Sequence, residues 1–496
     1  MNPGPLSCLI LLPLLGAVAQ FLPLRRGASR GIALLVSLLC LGLASWCLFI
    51  GMDPAVGGMQ FVERTPWLPE FGIAWLLGAD GLSLILLLLS SLIFFLAYLA
   101  SWKEKRTPRA YFGLLLLVQV GVHGVFLSGD LFLFFVFWEL VLLPMFFLIG
   151  GWGGEGRRSA AWKFLLFTLS GSVLFLIALV ILGAKAGTFD IAALRELVPG
   201  WGGDPGWLGI SLPSWIFGLL FLSFAVKLPV FPIHTWLPAA HVEAPTPVSV
   251  VLAGVLLKLG AYGMLRVAFP LSPGAFQAAA GCLAALGAFN VIYGAWAAFA
   301  QKDFKRMVAY SSIGHMGFFL IGFSALSFSG MAGAGLQLFV HGLSAGMLFL
   351  VVGAIQARAG HRHLDRLGGL GAAMPRLHAL GLVAIFTSLG LPALAGFPAE
   401  ALVLFGSWDA FPVAVALSLL GILLTGWFLV GAHRRAFTGP LPRGIGKVVD
   451  LGARETLVLA IPAGLCILLG LWPALLLDRM AATLELLRGG FPPLVP

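Results

Sequence analysis

Phe224-Ala-Val-Lys-Leu-Pro-Val-Phe-Pro-Ile-His-Thr-Trp-Leu-Pro238 is apolar enough to lie in a membrane, yet it holds a lysine, a histidine and prolines at 229, 232 and 238. Proline removes a backbone donor and clashes with the preceding turn, so a helix entering this stretch must break at membrane depth. Leu389-Gly-Leu-Pro-Ala-Leu-Ala-Gly-Phe-Pro-Ala-Glu400 has the same make-up, prolines in an apolar run with an ionisable residue. Two broken helices, one in each half of a chain, mark an ion-handling membrane protein built from inverted repeats.

The rest of the chain agrees. Of 496 residues, 60% are hydrophobic and 10% charged, and the mean hydropathy is +1.02, a composition outside the range of soluble domains. Counting apolar units of about 20 residues predicts an all-α polytopic membrane protein. Its fourteen spans fall near 5–24, 29–52, 79–102, 110–128, 130–150, 160–183, 211–239, 246–269, 275–300, 305–325, 330–357, 377–407, 411–433 and 454–476. The net charge of +10 reflects topology rather than a nucleic-acid partner. Most of the thirty Lys and Arg sit in odd-numbered connections, among them Arg25, Lys103, Arg157, Lys302, Lys305, Arg362, Arg435, Arg443 and Lys447. The even-numbered ones hold only Arg64, Lys185, Arg195 and Arg266. The positive-inside rule then places the odd connections in the cytoplasm and both termini outside. Positive charge following the first span, rather than preceding it, predicts a retained helix. The connections 53–78 and 184–210 are expected outside, the second as a short interfacial helix, and the tail 477–487 reads likewise. Cys8, Cys40, Cys47, Cys282 and Cys466 have no CxxC or CxxCH spacing and read as small buried apolar residues.

The charges that matter are the buried ones. Glu139, Lys227, Lys258 and Glu400 interrupt stretches that belong in hydrocarbon, where each charge costs about 2.5–3.5 kcal/mol on insertion scales. Such a series marks an ion or proton path. Lys227 and Glu400 are 173 residues apart, and Glu139 and His315 are 176 apart. Each half thus places one ionisable residue on a continuous helix and another at a broken one. Five helices per half, the fourth to eighth and the ninth to thirteenth, force the two repeats into inverted topology. The expected divisions are 1–108 for three leading helices, 109–273 and 274–436 for the repeats with broken helices 7 and 12, and 437–496 for the last helix and an amphipathic tail. His315 and His341 join the candidate row; His123 is a satisfied polar residue by expectation, and His361 and His363 a solvated face.

At Phe137-Trp-Glu-Leu, Val226-Lys-Leu-Pro, Trp236-Leu-Pro-Ala-Ala-His241, Ala244-Pro-Thr-Pro-Val-Ser249, Leu256-Leu-Lys-Leu-Gly-Ala-Tyr262, Ser311-Ser-Ile-Gly-His-Met-Gly317 and Gly390 through Glu400, the chain resembles the antiporter-like subunits of respiratory complex I, NADH:quinone oxidoreductase. Glutamate at the broken twelfth helix is similar to the M type (NuoM, or mitochondrial subunit 4), where the L and N types carry lysine. Ala239 and Gly314 depart from the family's aspartate and serine. The resemblance implies a proton-translocating membrane-arm subunit driven by redox chemistry elsewhere. Glu139 and Lys227 would be its ion pair, Lys258 its central carrier, His315 and His341 its connecting hydrated row, and Glu400 its terminal site. It implies no cofactor and no metal in this chain, with FMN, iron–sulfur clusters and quinone in partner subunits. The neighbours would be L-type and N-type antiporter-like subunits, in a bacterial cytoplasmic membrane with both termini periplasmic. The rival is a subunit of a multisubunit cation/proton antiporter or membrane-bound hydrogenase, which shares the fold and the lysines. A passive assembly subunit would need no charged row.

Overall fold

Long apolar runs dictate the architecture, since a backbone in hydrocarbon must satisfy its own hydrogen bonds. The computed structural model describes residues 4–23, 25–203, 206–442 and 448–491; Arg443 and Lys447 lie outside them. Eleven helices among the described residues are long and apolar enough to cross a membrane, from Gly27–Gly51 to Ala453–Leu471. The expected fourteen spans include three segments that fall short of that length as continuous helices. These are Pro5–Ala19 and the two interrupted ones, Leu212–Lys227 followed by Trp236–Glu243, and Pro375–Ser388 followed by Gly396–Ser407.

Burial sorts the helices into a centre and a shell. The most apolar window of Thr246–Leu271 is 100% buried and that of Phe304–Ser324 94%, whereas those of Pro412–Phe437 and Ala453–Leu471 are 33% buried. Small residues bring the central helices together: a β-carbon at Gly287 would fall 2.8 Å from the carbonyl oxygen of Gly317, a close approach typical of membrane helix pairs. Gly314 lies in the same contact, against Gly294. Its departure from serine thus falls in helix packing.

Several expectations need correction. The connection at 53–78 holds an antiparallel hairpin, Gln60–Leu68 with Ile73–Ala79, a small addition to an otherwise helical membrane fold. Its turn closes through Gly72 at φ +68°, a value at which glycine carries no β-carbon penalty. Ile191–Leu197, N-capped by the Asp190 carboxylate, buries Ile191 and Leu194 against protein. Cys282 is exposed rather than buried, and all five cysteines are free. Arg266 is not in a connection at all: the helix runs on to Leu271, and the arginine is 4% exposed.

Candidate ionisable row

Each break is held open by partners for the backbone groups it frees. After Lys227, the last residue of Leu212–Lys227, Trp236 Nε1 donates to Val226 O at 2.8 Å and Asn290 Oδ1 accepts from Phe231 N at 3.0 Å. The turn includes a cis Phe231–Pro232 bond. After Ser388, Gly390 at φ +69° and Ala393 at φ +70° reverse the chain, and Ala395 N donates to Cys466 O at 2.8 Å. The Glu400 carboxylate then folds back on the turn. A β-carbon at Gly390 would lie 2.5 Å from Glu400 Oε2.

Lys258 sits between two π-helical turns, Leu252–Leu256 and Met264–Ala268. Such turns leave carbonyls without their usual helical partner. Lys258 Nζ donates to Ala253 O at 2.5 Å and lies 2.7 Å from Nδ1 of His341. The rings of His341 and His315 are 5.4 Å apart, centre to centre. His315 Nε2 lies 3.0 Å from Ser388 O, at the second break, and its Nδ1 lies 2.8 Å from Ser311 O. Lys258, His341, His315 and the Ser388–Gly390 turn under Glu400 thus form one continuous buried line. Lys258, His341, His315 and Glu400 are at most 6% exposed.

The first end of the row is arranged differently. No ion pair within 4.0 Å joins Glu139 to Lys227 among the described residues. Lys227 Nζ instead lies 3.4 Å from the centre of the Trp138 ring and donates to Trp138 O at 3.3 Å. A cation over an indole face with a carbonyl at hand is already satisfied. Glu139 Oε1 is buried without a hydrogen-bond partner among the described residues, one residue from the carbonyl that holds the lysine.

Other buried groups escaped the sequence. His241 stacks on Phe349 at 4.6 Å, and neither of its ring nitrogens has a partner among the described residues. Lys305, counted only as a topological charge, is 2% exposed and donates to Ala244 O at 2.5 Å. A cation in the first turn of a helix opposes the helix dipole, a signal that was there to be read. His123 is satisfied by Leu9 O at 2.9 Å and Ser91 Oγ at 3.3 Å. Among the described residues no three His, Cys, Asp or Glu gather to hold a metal.

Comparison with known proteins adds a lineage to this geometry. Residues 128–425 match the NADH:quinone oxidoreductase/Mrp antiporter transmembrane family. F(420)H(2) dehydrogenase subunit M of Methanosarcina mazei is 38% identical over 96% of both chains. An NAD(P)H-quinone oxidoreductase chain 4 of Synechococcus sp. is 41% identical over 95% of this chain and 90% of its own. A chain of respiratory complex I from Thermus thermophilus with bound NADH superposes with a TM-score of 0.86 at 32% identity, covering 98% of this chain and 100% of that one. A chain of the Mrp complex from Dietzia sp. has the same TM-score at 22% identity over 97% of each, a likeness of fold alone.

Proposed function

Since the chain belongs to the NADH:quinone oxidoreductase/Mrp antiporter transmembrane family, we propose that it is the M-type, proton-translocating subunit in the membrane arm of a quinone oxidoreductase, and that Glu139, Lys227, Lys258, His341, His315 and Glu400 carry the protons. The observation behind this reading is the fully buried Lys258 ammonium 2.7 Å from a histidine ring nitrogen, at the head of a line that ends at Glu400.

A Lys258 ammonium has three N–H donors and His341 Nδ1 a lone pair. A proton passed along that contact lands on the imidazole, and its other nitrogen can release one in turn. From there His315 and the turn at Ser388 lead to Glu400. Glu139 and Lys227 act as the switch. In the arrangement described here the carboxylate and ammonium are apart, and closing them alters the field at Lys258 and with it that residue's hold on its proton.

The chain performs no redox step in this reading; flavin, iron–sulfur and quinone chemistry belong to partner subunits, and L-type and N-type subunits are its neighbours along the arm. The units 1–108, 109–273, 274–436 and 437–496 divide the work, with the inverted repeats meeting at Lys258 and the two histidines. Both termini lie on the periplasmic side of a bacterial cytoplasmic membrane.

Lys258→Ala in the whole complex tests the reading. Assembly and the electron-transfer sites remain, while coupled proton flux falls by about tenfold or more, equivalent to a barrier rise of at least ~1.4 kcal/mol. Proton pumping by sealed vesicles measures it. Wild-type stoichiometry in the variant would refute the proton route. Sodium-dependent uptake in place of proton uptake would favour the cation/proton antiporter.

A further inference from the structure

The helix that carries Lys258 has a second polar group one turn further on, and a third beyond that. Lys258, Tyr262 and Arg266 follow at intervals of four and therefore share a face. The Tyr262 hydroxyl lies 2.8 Å from Ser83 Oγ and 2.9 Å from Phe126 O. Ser83 Oγ is 2.9 Å from Asp80 Oδ1. Hydroxyl, hydroxyl and carboxylate in hydrogen-bond contact can pass a proton along, and these groups run from Tyr262, one turn beyond Lys258, to Asp80 at the end of the hairpin.

Arg266 stands across this wire. Its guanidinium donates to Tyr262 at 3.2 Å, to Ser83 at 2.9 Å and to the Asp80 carboxylate, and it lines a cavity of about 220 Å³ together with Arg64 and Arg195. Arginine is always charged and has no acceptor, so it can neither receive nor relay a proton. It also occupies the Asp80 carboxylate. Arg64 is matched by Asp190 at 3.3 Å, whereas Arg195, in the lining of the same cavity, forms no ion pair within 4.0 Å among the described residues. Burial first, and the Arg266 guanidinium second, pull the Arg195 pKa down to about 10. Arg195 donates to Arg266 O at 2.9 Å, pinning the backbone, and its Nε is buried without a partner among the described residues. The opposite end of the row differs: Glu400 faces a cavity of about 560 Å³ with no cationic residue in its lining.

We propose that Arg266, held by Asp80 and backed by Arg195, is an electrostatic seal that stops Lys258 from discharging along the Tyr262–Ser83–Asp80 wire and so directs its proton sideways to Glu400. The seal rests on the proton-carrying role given to Lys258 above, and explains why a carrier with a short outward route uses a lateral one.

The test uses the whole complex in sealed vesicles. The double variant Arg266→Gln with Arg195→Gln removes both guanidinium charges and keeps the Asp80 carboxylate as the end of the wire. Proton entry is followed under an imposed potassium diffusion potential, alongside protons moved per electron pair. We expect passive entry to rise several-fold and the proton ratio to fall while electron transfer continues. Adding Lys258→Ala to the double variant should abolish the extra entry. Entry equal to wild type, or a leak that survives Lys258→Ala, overturns the seal. Should the double variant not assemble, Arg195→Gln at the mouth must give a smaller leak with the same dependence on Lys258, and its absence is equally decisive. A wild-type complex that moves no protons would instead overturn the proposed function, a separate outcome.

Discussion

Glu139 lies in the last turn of the helix Leu131–Leu140 with one carboxylate oxygen buried and, among the described residues, unpartnered, which distinguishes two roles for it. As a source of negative charge it tolerates Glu139→Asp and not Glu139→Gln; as a hydrogen-bonding residue it tolerates both similarly. The switch predicts that Gln lowers coupled proton flux by about tenfold, ~1.4 kcal/mol on the barrier, and that Asp keeps most of it, as read from pumping in sealed vesicles. Much at this scale was legible. Lys227, Lys258, His315, His341 and Glu400 stood out because ionisable groups in apolar runs are costly, and all are buried. The rest depended on distances that a sequence lacks. Spacing gives a residue's helix and depth, not the rotamer that turns Lys227 to Trp138 rather than to Glu139. Arg266 counts with the connections when charges are tallied along the sequence; its partner Asp80 lies 186 residues away, beyond any local pattern.

At the scale of elements, the second break is a turn that only particular residues allow. Gly390 has φ +69° and no room for a β-carbon beside Glu400 Oε2. Gly390→Ala therefore strains the backbone by about 1–3 kcal/mol and displaces the carboxylate, lowering the thermal midpoint of the complex and its proton flux together. Gly431→Ala is the control. That helical glycine has nothing within 4 Å of its would-be β-carbon, and alanine should leave stability equal or better by up to about 1 kcal/mol. The two interruptions were legible because proline has a single backbone consequence. The hairpin was not: Ile73 to Ala79 is an apolar run parted from the helix Gly81–Ala100 by Asp80 alone, and that N-cap marks where the helix begins but not that a strand precedes it.

Over the whole molecule, the proposed route lies at the centre and the lipid-facing helices lie around it. Lys258, His315 and His341 are carried by helices whose apolar windows are 89% to 100% buried, while Arg157–Ala186, Pro412–Phe437 and Ala453–Leu471 are only 33% to 39% buried. The helix bearing His341, Phe328–Ala359, has 32 residues, roughly 48 Å at about 1.5 Å per residue, against a hydrocarbon thickness of about 30 Å. It overshoots the bilayer and is clamped at both ends, by Ser327 to Gly406 O at 2.5 Å and by Arg358 to Glu455 at 2.7 Å. Lys258, His315 and His341 are thus enclosed by protein, and the exposed apolar surface belongs to the shell. Reconstituted into lipids of short, medium and long acyl chains, the complex should keep one ratio of protons to electrons while its heat stability varies, since hydrophobic mismatch tilts only the helices that lipid can grip. A ratio that tracks chain length would mean that bilayer thickness reaches the Lys258–His341 contact after all.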